Sequence, residues 1–215
     1  MAEAVLFDLD GTLADTAPDL GGALNFLLQE LGREAMPLQT LRPYVSAGAR
    51  GLIGAGLGIT PADPGYAELA QRFLAIYQDT ICVGTRLFSG MAEHLDELDA
   101  RAIPWGIVTN KSQRFALPLM EQLGLRQRSA CVVCGDSARR PKPHAHPLQL
   151  AGALLGVAAE ACIYVGDDER DVISGRAVGM RTLVAAWGYL GNGKPPREWG
   201  ADAIVERPAE ILPAA

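Results

Sequence analysis

Short, largely apolar runs recur along this chain, most of them closed by a turn or a polar residue and separated from the next by a helical pattern. "AVLF" stops at Asp8, "IPWGIV" (103–108) at Thr109 and "ACIYVG" at Asp167, while "ACVV" (130–133), "TLVAAW" (182–187) and "ADAIV" (201–205) complete the series. Runs this short with no polar face suit strands that are covered on both sides. Between them "HLDELDARA", "RFALPLMEQLGL" (114–125), "PLQLAGALLGV" (147–157) and "ERDVISGRAVGM" read as helices. Strand and helix in alternation predict an α/β fold: an open parallel, Rossmann-like sheet with helices on both faces, and 201–205 as its last edge strand.

One segment breaks the alternation. From Thr16 to Gly84 there are helical patterns and glycine-rich loops but no strand-like run. Leu20, Leu24, Leu27, Leu28 and Leu31 form one stripe of an amphipathic helix. "YAELAQRFLAIYQDTI" (66–81) makes another, and "SAGARGLIGAGLG" (46–58) between them is too rich in glycine for one stable helix. The expected organisation is an α/β core of 1–15 and 85–215 with a small all-helical cap, 16–84, inserted at the sheet's edge. Its hinges are expected near Ala14–Thr16 and Val83–Arg86.

Composition narrows the function. A net charge of −6 sets an overall field that repels nucleic acid and anionic membrane surfaces. No basic-then-apolar leader opens the chain and no membrane-length apolar stretch occurs, so a cytoplasmic enzyme is the expectation. Cys131 and Cys134 form a CxxC, but the first lies in a strand-like run and no second pair completes a zinc site. They read as core thiols.

The chemistry gathers where the strands end. In open parallel sheets ligands bind outside the carboxyl ends of the strands, and Asp8, Thr109 and Asp167 all fall there. With Asp10, Asp168 and Asp171 this brings up to five carboxylates to one crevice. Two unit charges 4 Å apart repel by about 4 kcal/mol at an effective dielectric near 20, so the cluster calls for a cation. All-oxygen ligation suits magnesium. Lys142, in "RRPKPHAHPL", is the nearest fixed positive charge. Carboxylates, a hard metal, a hydroxyl and a lysine describe phosphoryl transfer. Taken singly, Thr109 reads as a helix cap, Lys142 as a surface lysine and Asp167–Asp171 as helix N-terminal acids. It is the ordered set that points to a site.

"DLDGTLADT", "IVTNK", "RPKP" and "VGDDERD" resemble the four ordered motifs of the haloacid dehalogenase superfamily, across essentially the whole chain. "TAPDL", "VSAGARGL" and "GIVTNK" resemble its phosphoglycolate phosphatase-like branch, which includes bacterial enzymes acting on N-acetylmuramic acid 6-phosphate. The resemblance implies a phosphatase acting on a small phosphorylated metabolite. Asp8 is then the nucleophile that forms an aspartyl-phosphate, and Asp10 the acid and base. Gly11 permits a sharp turn that aims amide N–H groups at phosphate. Thr109 donates to the phosphoryl group, Asn110 helps to orient it, and Lys142 neutralises Asp8 and the transferring oxygens. Magnesium would sit on Asp8, the Asp10 carbonyl and Asp167, with Asp168 and Asp171 just behind and Asp171 holding Lys142 or a bound water. Arg50, in the glycine-rich loop, is the candidate to meet a substrate carboxylate, while His144 and His146 read as residues outside the reacting centre.

Three features depart from the family pattern: Ser89 where proline is common, "KPHAHPL" for the usual "KPHP" run, and Asp168 where serine is common. None removes a reactive group. Dehalogenation is disfavoured by Asp10, which family members with that activity lack. A sugar-phosphate mutase would keep every motif named, and a phospho-accepting signalling domain would need them in another order.

Overall fold

The computed structural model describes residues 2–212. In chain order its elements are β1 (Ala4–Phe7), β2 (Ala14–Asp15), α1 (Ala17–Glu30), α2 (Leu38–Leu41), α3 (Gly48–Leu57), α4 (Tyr66–Asp79), β3 (Arg86–Leu87), α5 (Met91–Ala100), β4 (Trp105–Val108), α6 (Gln113–Gln122), β5 (Cys131–Val133), α7 (His146–Leu155), β6 (Cys162–Gly166), α8 (Glu169–Val178), β7 (Arg181–Ala185) and β8 (Ala203–Val205). Six strands form one sheet in the order β5-β4-β1-β6-β7-β8, every pairing parallel, with β8 at the edge as expected.

The double burial of the strands follows from their sequence. Val5 and Phe7 of β1, Trp105 and Ile107 of β4, and Ile163 and Val165 of β6 join one core, where Leu95 and Leu98 of α5 and Ala116, Leu119 and Met120 of α6 pack on them. The alternate residues Ala4, Leu6, Val108 and Tyr164 enter a second core with Leu148 and Ala151 of α7. Side chains alternate across a strand, so apolar residues at every position are what two covered faces require. Cys131, Cys134 and Cys162 are buried free thiols in these layers, and burial lifts both Cys131 and Cys134 to about 11. No described helix is long and apolar enough to cross a membrane.

Helices α1–α4 lie between β2 and β3 and share their own apolar cluster, in which Leu20, Leu24, Leu27 and Leu28 of α1 meet Leu52 and Ile53 of α3 and Phe73, Ile76 and Tyr77 of α4. Leu31, expected in the same stripe, lies just past the end of α1 and is exposed. Phe115 and Tyr189 from outside the insertion complete the cluster. The chain enters and leaves this layer through a two-stranded antiparallel ribbon, Ala14 opposite Leu87 and Asp15 opposite Arg86. No sequence pattern announces strands so short.

The glycine-rich stretch corrects its expectation: residues 48–57 are helical. Packing overrides propensity here, because Leu52 and Ile53 are fully buried and two of the glycines permit close approach. A Cβ at Gly51 would overlap the Tyr44 carbonyl oxygen, and one at Gly56 would press on the Leu24 side chain. Gly58, with φ +72°, then ends the helix in the left-handed conformation.

The same geometry separates the glycines in a urea titration. Gly54→Ala, whose new methyl would come no closer than 3.7 Å to Ile59 O, is expected to stabilise the protein by about 0.5–1 kcal/mol. Gly51→Ala is expected to destabilise it by roughly 1–3 kcal/mol through overlap with the Tyr44 backbone.

Candidate active site

Four adjacent strands, β5, β4, β1 and β6, direct the loops that follow them to one rim of the sheet. The ladder carries on past the strands, since Asp8 N–H donates to Val165 O at 2.9 Å and Thr109 N–H to Val133 O at 2.9 Å. Ligand oxygens of Asp8, Asp167 and Asp171 lie within 4.8 Å of one another at this rim.

Lys142, on the loop after β5, holds them. Its Nζ donates to Asp171 Oδ1 at 2.6 Å, the Tyr164 hydroxyl at 2.7 Å and Val108 O at 2.9 Å. It lies 3.0 Å from Asp8 Oδ1. Those three acceptors occupy the three ammonium protons. Asp8 Oδ1 therefore feels the charge but receives no hydrogen bond, and it is buried. Burial works against the Lys142 charge, but Asp171 and Asp8 outweigh it and hold the pKa above the ordinary lysine value.

The carboxylates show the reverse balance. Asp8 is lifted from 3.8 to about 6, chiefly by burial, with Lys142 opposing and Asp171 and Asp10 adding repulsion. Asp167 is driven well above the usual carboxylate range by burial, then by Asp8 and Asp171. Its oxygens accept from the Thr12 hydroxyl (3.2 Å), Tyr189 N–H (2.9 Å) and the Ser46 hydroxyl (3.3 Å), which fix its direction. Gly11 turns at φ +86°, and a Cβ there would overlap the Asp167 carboxylate, so glycine is required for close approach as well as for the turn. Three crowded acids, one with an orphaned buried oxygen, suit a hard divalent cation.

The other expected residues fall into place differently. Asp10 stands apart from the trio, and its Oδ1 accepts from the Thr16 hydroxyl at 2.6 Å and from Lys111 Nζ at 2.9 Å. Asp168 is not a free charge beside the cluster. It caps α8 through Arg170 N–H, receives the Arg170 guanidinium on both oxygens, and so has its pKa lowered despite burial. Thr109 Oγ1 accepts from Lys111 N–H at 3.1 Å, so its proton is available to a ligand, and Ser112 is the residue at the N-cap of α6. Asn110 lines the cavity, and its amide donates to Lys142 O and accepts from Lys142 N–H, both at 2.9 Å, so it clamps the lysine backbone.

Above the trio opens a cavity of about 340 Å³. Its floor is Asp8, Asp10, Thr109, Lys142 and Asp171, and its wall includes Leu20, Val45, Phe73, Leu74, Tyr77 and Phe115. Arg50 does not line it: the residue is exposed on α3, and the cavity meets Ser46 and Ala47 before that helix and Gly48 and Ala49 at its start instead. The cations that do line it are Lys111, Lys142 and Arg170. His144 and His146 stack on each other outside it. Sequence reasoning passed over Lys111, Ser46, Arg170, Tyr164 and Tyr189. Lys111, Ser46, Arg170 and Tyr164 lie inside the quoted stretches "IVTNK", "VSAGARGL", "VGDDERD" and "ACIYVG", whereas Tyr189 lies in none.

Two outcomes follow for protein freed of divalent cations. The folded state keeps a proton on Asp8 that the unfolded chain releases near 3.8, so stability falls as pH rises from about 4 through about 6 and stays lower above it. Asp167→Asn removes the most disfavoured charge while keeping an acceptor for Tyr189 N–H. It is expected to raise the melting temperature at pH 7.5 by roughly 2–4 °C or more, read by differential scanning calorimetry.

The chain matches the haloacid dehalogenase-like hydrolase family over residues 5–185. It is 42% identical over 208 residues to the N-acetylmuramic acid 6-phosphate phosphatase of Pseudomonas putida, covering 97% of this chain and 93% of that one. It is also 42% identical over 213 residues to the phosphoglycolate phosphatase of Xanthomonas campestris, covering 99% and 96%. Among solved structures it superposes on a predicted phosphoglycolate phosphatase from Haemophilus somnus with a TM-score of 0.86 at 22% identity, covering 98% and 96%, which speaks to the fold.

Proposed function

The chain belongs to the haloacid dehalogenase-like hydrolase family and is a phosphatase, and from that premise we propose that it is a magnesium-dependent phosphoglycolate phosphatase acting through an aspartyl-phosphate on Asp8. One observation carries this reading: a buried Asp8 oxygen without a hydrogen bond, beside a lysine and at the floor of a cavity.

In this mechanism Asp8 attacks phosphorus, the bond between phosphorus and the ester oxygen breaks, and Asp10 delivers a proton to the leaving oxygen. Water then attacks the aspartyl-phosphate, giving a proton to Asp10 and releasing inorganic phosphate and free Asp8. Thr109 donates to a phosphoryl oxygen, and Lys142 neutralises charge that grows there. Asp8, Asp167 and the Asp10 carbonyl would hold magnesium, which supplies further neutralisation of the phosphoryl oxygens when bound. Asp171 keeps Lys142 in place, and Asn110 fixes its backbone.

We assign residues 16–84 as a cap over the core of 1–15 and 85–215, moving about the ribbon at Ala14–Asp15 and Arg86–Leu87. Several contacts fasten it in this structure, among them Arg170 donating to Ser46 O at 2.7 Å, Ser46 donating to Asp167, and Arg114 donating to Gln78 at 2.6 Å. Closure of such a layer excludes water during the reaction, and reopening releases product.

A second substrate has an observation of its own. The six apolar wall residues and the 340 Å³ volume would also take N-acetylmuramic acid 6-phosphate, a larger and less polar molecule.

Phosphate release from the two substrates in parallel tests both readings. Magnesium-dependent turnover that Asp8→Asn lowers by at least about 10³-fold supports the nucleophile, and the substrate with the higher kcat/KM decides between them. Turnover that survives in Asp8→Asn overturns the mechanism. Magnesium is expected to raise the melting temperature more at pH 7.5 than at pH 5, because protons held on Asp8 and Asp167 must leave first.

A further inference from the structure

We infer that Lys111 and Tyr77 together form a carboxylate-binding subsite that selects phosphomonoesters carrying an acid group one carbon from the ester oxygen. This deepens the phosphatase reading and rests on it.

Three cations line the cavity, and they differ in what already holds them. Lys142 is committed to Asp171, Tyr164, Val108 and Asp8. Arg170 is held by both oxygens of Asp168 and by Ser46 O. Lys111 has one anionic oxygen, Asp10 Oδ1, and otherwise lies over the Tyr77 ring with Nζ 4.7 Å from its centroid. An ammonium has three protons to donate, so Lys111 retains capacity that Lys142 lacks, while Arg170 keeps only its Nη1 protons and has its charge paired with both oxygens of Asp168.

Tyr77 supplies the second, independent observation. It is 1% exposed, lines the cavity, and its hydroxyl has no hydrogen-bond partner. An unsatisfied buried hydroxyl is destabilising, and native interiors hold few of them. Burial also raises its pKa, so the phenol keeps its proton and stands as a donor. A charged donor from the core loop and a neutral donor from α4 thus meet beside one wall of the cavity. A carboxylate, with two oxygens and no proton, is the small group that accepts from both.

Position then sets where that carboxylate lies in the substrate. Asp10, as the acid, must reach the ester oxygen. Lys111 touches that same Asp10 carboxylate at 2.9 Å. An acid group attached one carbon beyond the ester oxygen therefore falls within reach of Lys111, whereas one placed across a sugar ring does not. Lys111 already lies over the Tyr77 ring in this structure, so an acid group held there meets the core loop and α4 together.

Calorimetric titration of Asp8→Asn protein, which binds without turnover, tests the subsite with 2-phosphoglycolate and with ethyl phosphate, which lacks only the acid. In saturating magnesium the first is expected to bind about 10- to 100-fold more tightly. Adding Lys111→Met should remove most of that preference and Lys111→Arg should retain it. Adding Tyr77→Phe should lower the preference about threefold or more, while the melting temperature holds or rises because a buried orphan hydroxyl is gone. No preference in Asp8→Asn, or a preference unchanged in both Lys111→Met and Tyr77→Phe, overturns the subsite. Failure of the phosphatase reading shows elsewhere, as wild-type protein that releases phosphate from neither compound.

Discussion

The buried ammonium of Lys142 is the interaction on which the site depends. It stands among the carboxylates of Asp8 and Asp171, with Asp167 close behind, and one positive charge cannot balance three negative ones. At an effective dielectric near 20 each like-charge pair at 4 Å is worth about 4 kcal/mol of repulsion. Burial and mutual repulsion raise the pKa values of Asp8 and Asp167 in response. The trio is therefore a store of unfavourable negative charge that a doubly charged cation would relieve. The sheet order is what makes this possible, since β5, β4, β1 and β6 are neighbours and their loops meet without a long excursion.

A second set of contacts ties the helical layer to that charge. The Tyr189 hydroxyl accepts from the N–H groups of Thr16 and Ala17 at the start of α1 and donates to Asp15 in the ribbon. Its own backbone N–H donates to Asp167. Arg42 lies over the same ring and pairs with Asp15. Trp187 donates to Thr12 O, and the Thr12 hydroxyl donates to Asp167. The segment after β7 thus touches the ribbon with its side chains and the site with its backbone. In the proposed cap motion, rotation of the insertion passes through residues that also orient Asp167, which would join the state of the cap to that of the acidic trio.

Much of this was legible in the chain, for physical reasons. Asp8, Thr109 and Asp167 stood out because an apolar strand must end where its polar neighbour begins, and the sheet carries all such ends to one side. Asp10, Asp168 and Arg50 were harder, because whether a side chain joins a cluster depends on which cation claims it. Asp168 is claimed by Arg170, two residues on, and Asp10 by Lys111, 101 residues away. Arg50 was placed by its neighbourhood in sequence, but a helix displays adjacent residues on different faces, and α3 turns Ala49 to the cavity and Arg50 to solvent. The glycines of α3 misled because propensity counts backbone entropy and cannot see Tyr44 or Leu24, against which the missing side chains allow the helix to lie.

The unsatisfied atoms give the cavity its polarity from end to end. Five buried side-chain atoms lack a hydrogen bond among the described residues, and two of them, Asp8 Oδ1 and the Tyr77 hydroxyl, belong to residues that line this one space. Of the others, the two His94 nitrogens belong to an imidazole kept neutral by burial and set edge-on to Phe7, and the last is Nδ1 of His146 at the start of α7. An acceptor without a donor on the floor and a donor without an acceptor on the wall are complementary to a single kind of molecule. Its electrophilic centre must face Asp8, and its acceptor must face Tyr77 and Lys111. Leu20, Val45, Phe73, Leu74 and Phe115 give the same cavity an apolar wall. The two orphans reduce the stability of the free protein, and that deficit is recovered when a ligand with the right charge at each end is bound. Specificity in such a site rests less on the contacts that the free protein already makes than on those it leaves unmade.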